Sequence, residues 1–243
     1  MAGRTGIYFT ADVHLGLDAG NPADREERFV GFLKSIPRDT AEALYLLGDI
    51  WDFWYEYRDV VPKDGARALA QLIDLVDAGV KVYFFPGNHD IWTFSFFEEL
   101  GIRKLEQPYY VELAGRKFCL GHGDGLSGAT AGYRLMRKVF DNRILQALFS
   151  TLHPWIAYRI GKGWSRKNRR RHGGYEFIPS EEPLFRWASA HKDVDFFIFG
   201  HFHRSVDETL PNGGRFVILP SWIDDSPYLF FDGRTLTRSS FQR

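Results

Sequence analysis

The sequence predicts an α/β fold built on a mainly parallel sheet with antiparallel additions, and two observations predict it. Through the first half of the chain, apolar runs of strand length alternate with segments whose apolar residues recur at helical spacing. Five strands, moreover, stop at a residue able to bind a metal ion. They are Gly6 to Thr10 before Asp12 and His14, Leu44 to Leu47 before Asp49, Val80 to Phe85 before Asn88 and His89, Arg116 to Leu120 before His122, and Phe196 to Phe199 before His201 and His203. Open α/β sheets bind ligands at the carboxyl ends of their strands, so these ends are expected to converge on one site.

Taken in order, the first strand leads through Ala11-Asp12-Val13-His14 to Asp24 to Ile36, where Phe29, Phe32, Leu33 and Ile36 share one helical face. The Asp49 strand is followed by Phe53-Trp54-Tyr55-Glu56-Tyr57, whose aromatics either line a pocket or pack beneath a loop. Asp64 is placed to cap a helix running to about Ala78, with Ala68, Leu69, Leu72, Ile73, Leu75 and Val76 inward and Gly79 ending it. A short helix near Phe94 to Leu100 precedes a hairpin whose strands, Tyr109 to Leu113 and Lys117 to Leu120, flank the turn Ala114-Gly115. Ser180 to His191 is expected to be helical. Val206 to Leu210 and Arg215 to Leu219 form a second hairpin, and Tyr228 to Phe231 closes the sheet.

With 243 residues, 44% of them hydrophobic and 26% charged, one soluble α/β domain spanning residues 1–243 is expected, not two. The formal net charge is zero, so nothing global points to nucleic acid. Cys119, the single cysteine, cannot form an internal disulfide and is expected in the core. An amino terminus without room for a secretory signal, and no long uninterrupted apolar run, predict a cytoplasmic protein.

Residues 126–177 have a different texture and read as a helical insertion, with helices at Tyr133 to Phe149 and Trp155 to Ile160. It carries Arg134, Arg137, Lys138, Arg143, Arg159, Lys162, Arg166, Lys167, Arg169, Arg170 and Arg171 against few acids. In a chain of zero net charge, so local a basic excess, interleaved with apolar side chains, suits phosphates, an anionic bilayer or a lipid.

The candidate ligands are Asp12, His14, Asp49, Asn88, His122, His201 and His203. One ion needs about four to six ligands, so this set suits two ions sharing a carboxylate. Asp49, alone after the central strand, is the natural bridge. Oxygen and nitrogen donors without thiolate favour Mn, Fe, Zn or Co. His153, His172 and His191 lie outside these motifs and are expected to be structural.

The motifs Asp-x-His, Gly-Asp-x-x-Asp, Gly-Asn-His-Asp, Gly-His-Gly-Asp and Gly-His-x-His, spread from Asp12 to His203, resemble those of the calcineurin-like metallophosphoesterase superfamily. The resemblance implies a four-layer α/β/β/α sandwich. It also implies Asp12, His14, Asp49 and His203 on one metal, and Asp49, Asn88, His122 and His201 on the other. Within the superfamily, Ala43 to Asp49 with Trp54, His122-Gly123-Asp124 with Leu126, Ala131-Gly132-Tyr133, Arg137, Leu219 and Trp222 resemble the UDP-2,3-diacylglucosamine diphosphatase family of lipid A biosynthesis.

That resemblance implies two divalent ions, with Mn2+ the expected pair, and cleavage of a UDP-linked acylated sugar to UMP and a lipid sugar phosphate. It implies substrate contacts from Asn88, Tyr133 and Arg137, and the insertion as a lipid-binding lid. It also implies peripheral attachment to the inner membrane face, with no obligate protein partner and no nucleic acid. The chain departs from that family by carrying His89 in place of arginine and Asp52 in place of glutamate, as the wider superfamily does. His89 is then expected to protonate or stabilise the leaving oxygen, with Asp52 fixing its tautomer. The alternative expectation is a phosphodiesterase or phosphatase for another nucleotide or phosphoester, and the remote one a non-catalytic metal-binding module.

Overall fold

The apolar run ending at Asp49 folds as a strand buried on both faces, which is why it reads as continuous rather than alternating. The computed structural model describes residues 3–171 and 177–242, and of residues 167–171 the backbone alone. Its elements begin with β1 (Gly6–Thr10), α1 (Pro22–Ser35), β2 (Ala41–Leu46), α2 (Ala66–Asp77), β3 (Lys81–Phe84), α3 (Phe96–Glu99) and β4 (Arg103–Lys104). The hairpin β5 (Tyr109–Leu113) and β6 (Arg116–Leu120) follows, then three helices, α4 (Ala131–Phe140), α5 (Arg143–Ser150) and α6 (Pro154–Arg171). The chain finishes with α7 (Pro183–Ser189), β7 (Phe196–Phe199), β8 (Val206–Thr209), β9 (Arg215–Ile218), β10 (Pro227–Phe231) and β11 (Leu236–Ser240).

Two mixed sheets result, one of six strands in the order β11-β10-β1-β2-β3-β4 and one of five in the order β5-β6-β7-β9-β8. In the first, β1 to β4 run parallel, and in the second β6, β7 and β9 do. Strand periodicity sorts the side chains into layers. Ala43 and Tyr45 meet Phe118, Ile198 and Val217 between the sheets, whereas Leu44 and Leu46 meet Phe29, Phe32 and Leu72 of the helices outside. On the far side, Cys119, Phe197 and Phe216 pack against Leu184 and Ala188 of α7. Helices, sheet, sheet and helix thus form the four layers that the motifs imply.

Several local expectations are corrected. Asp64 does not cap α2, whose N-cap is Gly65 in the left-handed region with no side-chain bond. Asp64 instead accepts the Trp51 indole N–H at its main-chain oxygen and meets Lys162 Nζ at 2.6 Å. The helix expected over Tyr133 to Phe149 is two helices, because the Asn142 side chain accepts the N–H groups of Ile144 and Leu145 and starts a new helix there. The second insertion helix extends well beyond Ile160, to Arg171. The helix expected over Ser180 to His191 is a short 3-10 turn, Pro179–Glu181, followed by a helix that begins at Pro183. Tyr228 to Phe231 does not close its sheet, since β11 adds an edge strand. The expected side-chain roles of Lys167, Arg169, Arg170, Arg171 and His172 lie outside the described residues.

Neither α4 nor α5 has a buried residue, so the insertion is held from below. Tyr55 Oη donates to Gln146 O at 2.6 Å, Trp92 Nε1 to Phe140 O at 2.9 Å, and the Phe53 ring meets Tyr158 edge to face. Gly161 of α6 lies on the Phe53 ring so closely that a Cβ there would overlap it. In the aromatic stretch after Asp49, Phe53 lines a cavity, as one of the two readings expects, whereas Tyr55 packs beneath a helix of the insertion and not beneath a loop.

Candidate metal centre and active site

All seven expected ligands meet at one place. Parallel pairing brings the ends of β1, β2 and β3 to one edge and those of β6 and β7 to another, and the two edges touch. Asp12 Oδ2 accepts the His201 N–H at 2.9 Å, and Asn88 Oδ1 lies 2.8 Å from His201 Nδ1 and 3.2 Å from His122 Nε2. Asp49 sits between the halves, with Oδ2 at 3.5 Å from His122 Nε2 and 3.9 Å from His14 Nε2. His203 Nε2 faces His14 Nε2 at 3.0 Å and Asp12 Oδ1 at 3.2 Å.

The backbone is strained to achieve this. Asp12, His14, Asp49, His201 and His203 all adopt φ between 51° and 71°, and among the described non-glycine residues only Ala114, in a hairpin turn, shares that sign. At about 1 kcal/mol or more apiece, five such residues cost an amount comparable with the net stability of a whole domain. They persist because the loops are over-determined by their surroundings. Glycines at two motif positions permit the approach: a Cβ on Gly87 would overlap Asp49 Oδ1, and one on Gly200 would overlap Asp12 Oδ2.

A buried carboxylate beneath the ligands fixes two of the loops. Asp90 accepts N–H bonds from Gly87 at 2.7 Å, Asp49 at 3.2 Å, Ile50 at 2.7 Å and Trp51 at 3.2 Å, so it ties the β2 and β3 ends together. Burial, and then the Asp49 charge, push its carboxyl up to about 7 against those amides. Its position inside Gly-Asn-His-Asp was visible in the sequence, although nothing there distinguished a cradle from a ligand.

The two aspartates and two of the imidazoles carry the charge states a cation requires, whereas His122 would have to give up a proton to it. Burial would raise the Asp49 carboxyl, yet His122 and His89 hold it well below the usual range, and His203 lowers Asp12 against its own burial. Burial pushes His14 and His201 down to about 4, leaving both imidazoles neutral. His122 resists burial and rises, because Asp49, Asp12 and Asp124 surround it. Its Nδ1 lies 2.9 Å from Leu47 O, which aims Nε2 into the cluster.

Two observations test whether these residues fit a metal. Asp12 Oδ1 is buried without a hydrogen-bond partner, and the Nε2 atoms of two imidazoles point at one another. Lone pairs converging in a buried site are satisfied together by a divalent cation and poorly by protons. Asp12, His14, Asp49 and His203 each bring one donor within 4.8 Å of the others, as do His14, Asp52 and His89. The donor set fits divalent metal.

Beside the cluster, His89 Nδ1 lies 2.9 Å from the main-chain oxygen of Asp52. The expected tautomer anchor is thus the Asp52 carbonyl, with the carboxylate at 3.5 Å. Tyr133 and Arg137 are drawn not to the ligands but to Asp124, which accepts from Tyr133 Oη and lies 3.8 Å from Arg137 Nη1. Gln107 completes this clamp, donating to Asp124 Oδ1 at 2.7 Å and accepting the Gly123 N–H at 2.7 Å. Gln107 and Ser165, whose hydroxyl donates to Asp52 Oδ1 at 2.9 Å, carry no sequence signal, because their partners are distant in the chain.

An apolar cavity of about 250 Å³ opens from Asn88, His89 and Asp52 toward the insertion, between Phe53, Trp92, Val139, Phe149, Ile160 and Trp164. Twelve large apolar side chains are exposed among the described residues, and eight of them, including Leu135, Ile144, Leu148 and Trp155, sit on α4 to α6. No helix is long and apolar enough to cross a membrane among those residues.

Residues 5–205 match the calcineurin-like phosphoesterase family. The chain is 36% identical to a UDP-2,3-diacylglucosamine hydrolase of Porphyromonas gingivalis over 98% of both chains. It is 32% identical to the protein of that name from Yersinia pseudotuberculosis, over 88% of this chain and 90% of that one. An archaeal phosphodiesterase structure shares the fold at a TM-score of 0.51 and 10% identity, covering 97% of this chain and 99% of its own. The chain belongs to the calcineurin-like phosphoesterase family and is a metal-dependent hydrolase.

Proposed function

We propose that the protein hydrolyses the pyrophosphate of UDP-2,3-diacylglucosamine to UMP and 2,3-diacylglucosamine 1-phosphate, a step of lipid A synthesis. The observation that carries this substrate is the apolar cavity joined directly to Asn88 and His89, because a site for a soluble phosphoester has no need of it. The full-length similarity to proteins of that name supports the same substrate.

Asp12, His14, Asp49 and His203 would hold one ion and Asp49, Asn88, His122 and His201 the other, with Mn2+ the expected pair and Fe, Zn or Co the alternatives. Bound there, divalent ions supply Lewis acidity toward the diphosphate and lower the pKa of water. The chain does the rest. With Nδ1 held against Asp52 O, His89 turns Nε2 to the site, where it gives a proton to the bridging oxygen as water adds to phosphorus and the P–O bond breaks. Asn88 orients the phosphate, while Tyr133 and Arg137, fixed on Asp124, border the sugar. Residues 126–177 act as the lid, and the walls from Phe53, Val139, Ile160 and Trp164 take acyl carbon and exclude water.

The exposed apolar side chains of α4 to α6 alternate with Arg134, Lys138, Arg143 and Arg159, a surface suited to lie on an anionic bilayer at the inner membrane face. Comparing the acylated substrate with UDP-N-acetylglucosamine tests the cavity's role. Phe149→Asp is expected to cut turnover of the acylated substrate by at least tenfold and to leave a small chromogenic diester unaffected. Equal loss on both would favour the phosphodiesterase alternative, which His89 in place of arginine also suits.

A further inference from the structure

His14 presents its two ring nitrogens to different surroundings. Nε2 faces His203 Nε2 at 3.0 Å, Asp12 Oδ1 at 3.8 Å and Asp49 Oδ2 at 3.9 Å. Nδ1 points out of the cluster, is buried, and makes no hydrogen bond of normal length. The carboxylate facing it is that of Asp52, whose Oδ1 is 3.5 Å away. An imidazole that gives Nε2 to a cation carries its proton on Nδ1 and needs an acceptor there. His122 has one in Leu47 O, and His89 has one in the main-chain oxygen of Asp52. For His14, the Asp52 side chain is an acceptor within reach.

That side chain is gripped from the insertion. Ser165 of α6, 2% exposed, donates its hydroxyl to Asp52 Oδ1 at 2.9 Å across 113 residues of chain. Lys162, one turn earlier, meets Asp64 at 2.6 Å, and Gly161 lies on Phe53, so the turn carrying Ser165 is seated on the loop that carries Asp52. The seated helix thereby contributes a hydrogen bond that helps place the carboxylate.

We propose that the Asp52 carboxylate is the outer partner of His14 rather than an orienter of His89 alone, and that Ser165 holds it there, so that docking of the insertion tightens the metal centre. Asp52 and Ser165 are then positioning residues for the cation. The proposal rests on the metal centre described above and not on the lipid substrate.

The test is titration of the full chain, stripped by chelator, with Mn2+ in a calorimeter without substrate. Asp52→Asn is expected to weaken the tighter binding event by roughly 10- to 100-fold, and His89→Ala to leave it within about twofold. Ser165→Ala should weaken it by roughly threefold or more, Ser165→Thr should restore it, and Ser165→Ala should add nothing once Asp52 is Asn. Mn2+ affinity unchanged in Asp52→Asn, or a Ser165→Ala effect that persists in the Asp52→Asn chain, would overturn the proposal. If Asp52→Asn melts below the assay temperature, the Ser165→Ala and Ser165→Thr pair decides alone, and equal affinity in both overturns it. Normal Mn2+ binding without UMP release in the unaltered chain would remove only the lipid substrate.

Discussion

At Gly200 a single hydrogen separates backbone from the Asp12 carboxylate, and at Gly87 from that of Asp49. Gly200→Ala is therefore expected to displace Asp12 and lower Mn2+ affinity at least tenfold with little change in far-UV circular dichroism. Unchanged affinity would show that the loop yields cheaply. Asp49→Asn should lose metal, whereas His89→Ala should keep it and lose turnover by roughly two orders of magnitude, the range of a general acid. Equal metal loss in both, measured by elemental analysis, would end that division of labour. The candidate ligands were legible because each follows an apolar strand that announces where it ends. The left-handed backbone of five of the seven was not, since Asp and His occur with either sign of φ, and neither was the Asp52 carbonyl as the partner of His89, which is main chain.

Two elements decide how well the site is held. Asp90 joins the β2 and β3 ends through four amides, and Asp90→Ala leaves those amides buried and unpaired. A cost on the order of 3 kcal/mol is expected, read as a melting temperature lower by several degrees and as weaker metal binding. A stable variant with full metal content would show that the loops need no cradle. The helix α6 makes the second contact, and Gly161→Val should unseat it from Phe53, reducing turnover of the lipid substrate more than that of a small diester. The central strands β1, β2, β7 and β9 were legible because they are buried on both faces, and the hairpin strands because turn residues bound them, whereas the two-residue strand Arg103–Lys104 was missed. Leu236 to Ser240 was not legible, since Leu-Thr-Arg-Ser-Ser is an edge strand that buries one leucine and offers no apolar pattern. The break at Asn142 was missed for a different reason: Ile144, Leu145 and Leu148 continue a helical pattern across a polar cap.

Across the whole molecule, two sheets bring five strand ends together where their edges touch, and an insertion stands over that place with an apolar floor and an exposed apolar, basic outer face. Charge and composition announced the insertion, but its attachment through Tyr55, Trp92 and Lys162 could be known only from the folded chain. If the outer face meets lipid, Ile144→Asp combined with Leu148→Asp should release the protein from anionic vesicles in a sedimentation assay and leave turnover of a detergent-dispersed substrate intact. The central claim, a divalent-metal site serving a lipid-linked diphosphate, is tested most directly by UMP release from UDP-2,3-diacylglucosamine with Mn2+, beside a small chromogenic phosphodiester and a chelator control. The account predicts rapid UMP release, abolished by chelator and restored by Mn2+, with the diester turned over poorly. Turnover of the diester alone would contradict the lipid substrate, and UMP release that survives chelation would contradict the metal centre itself.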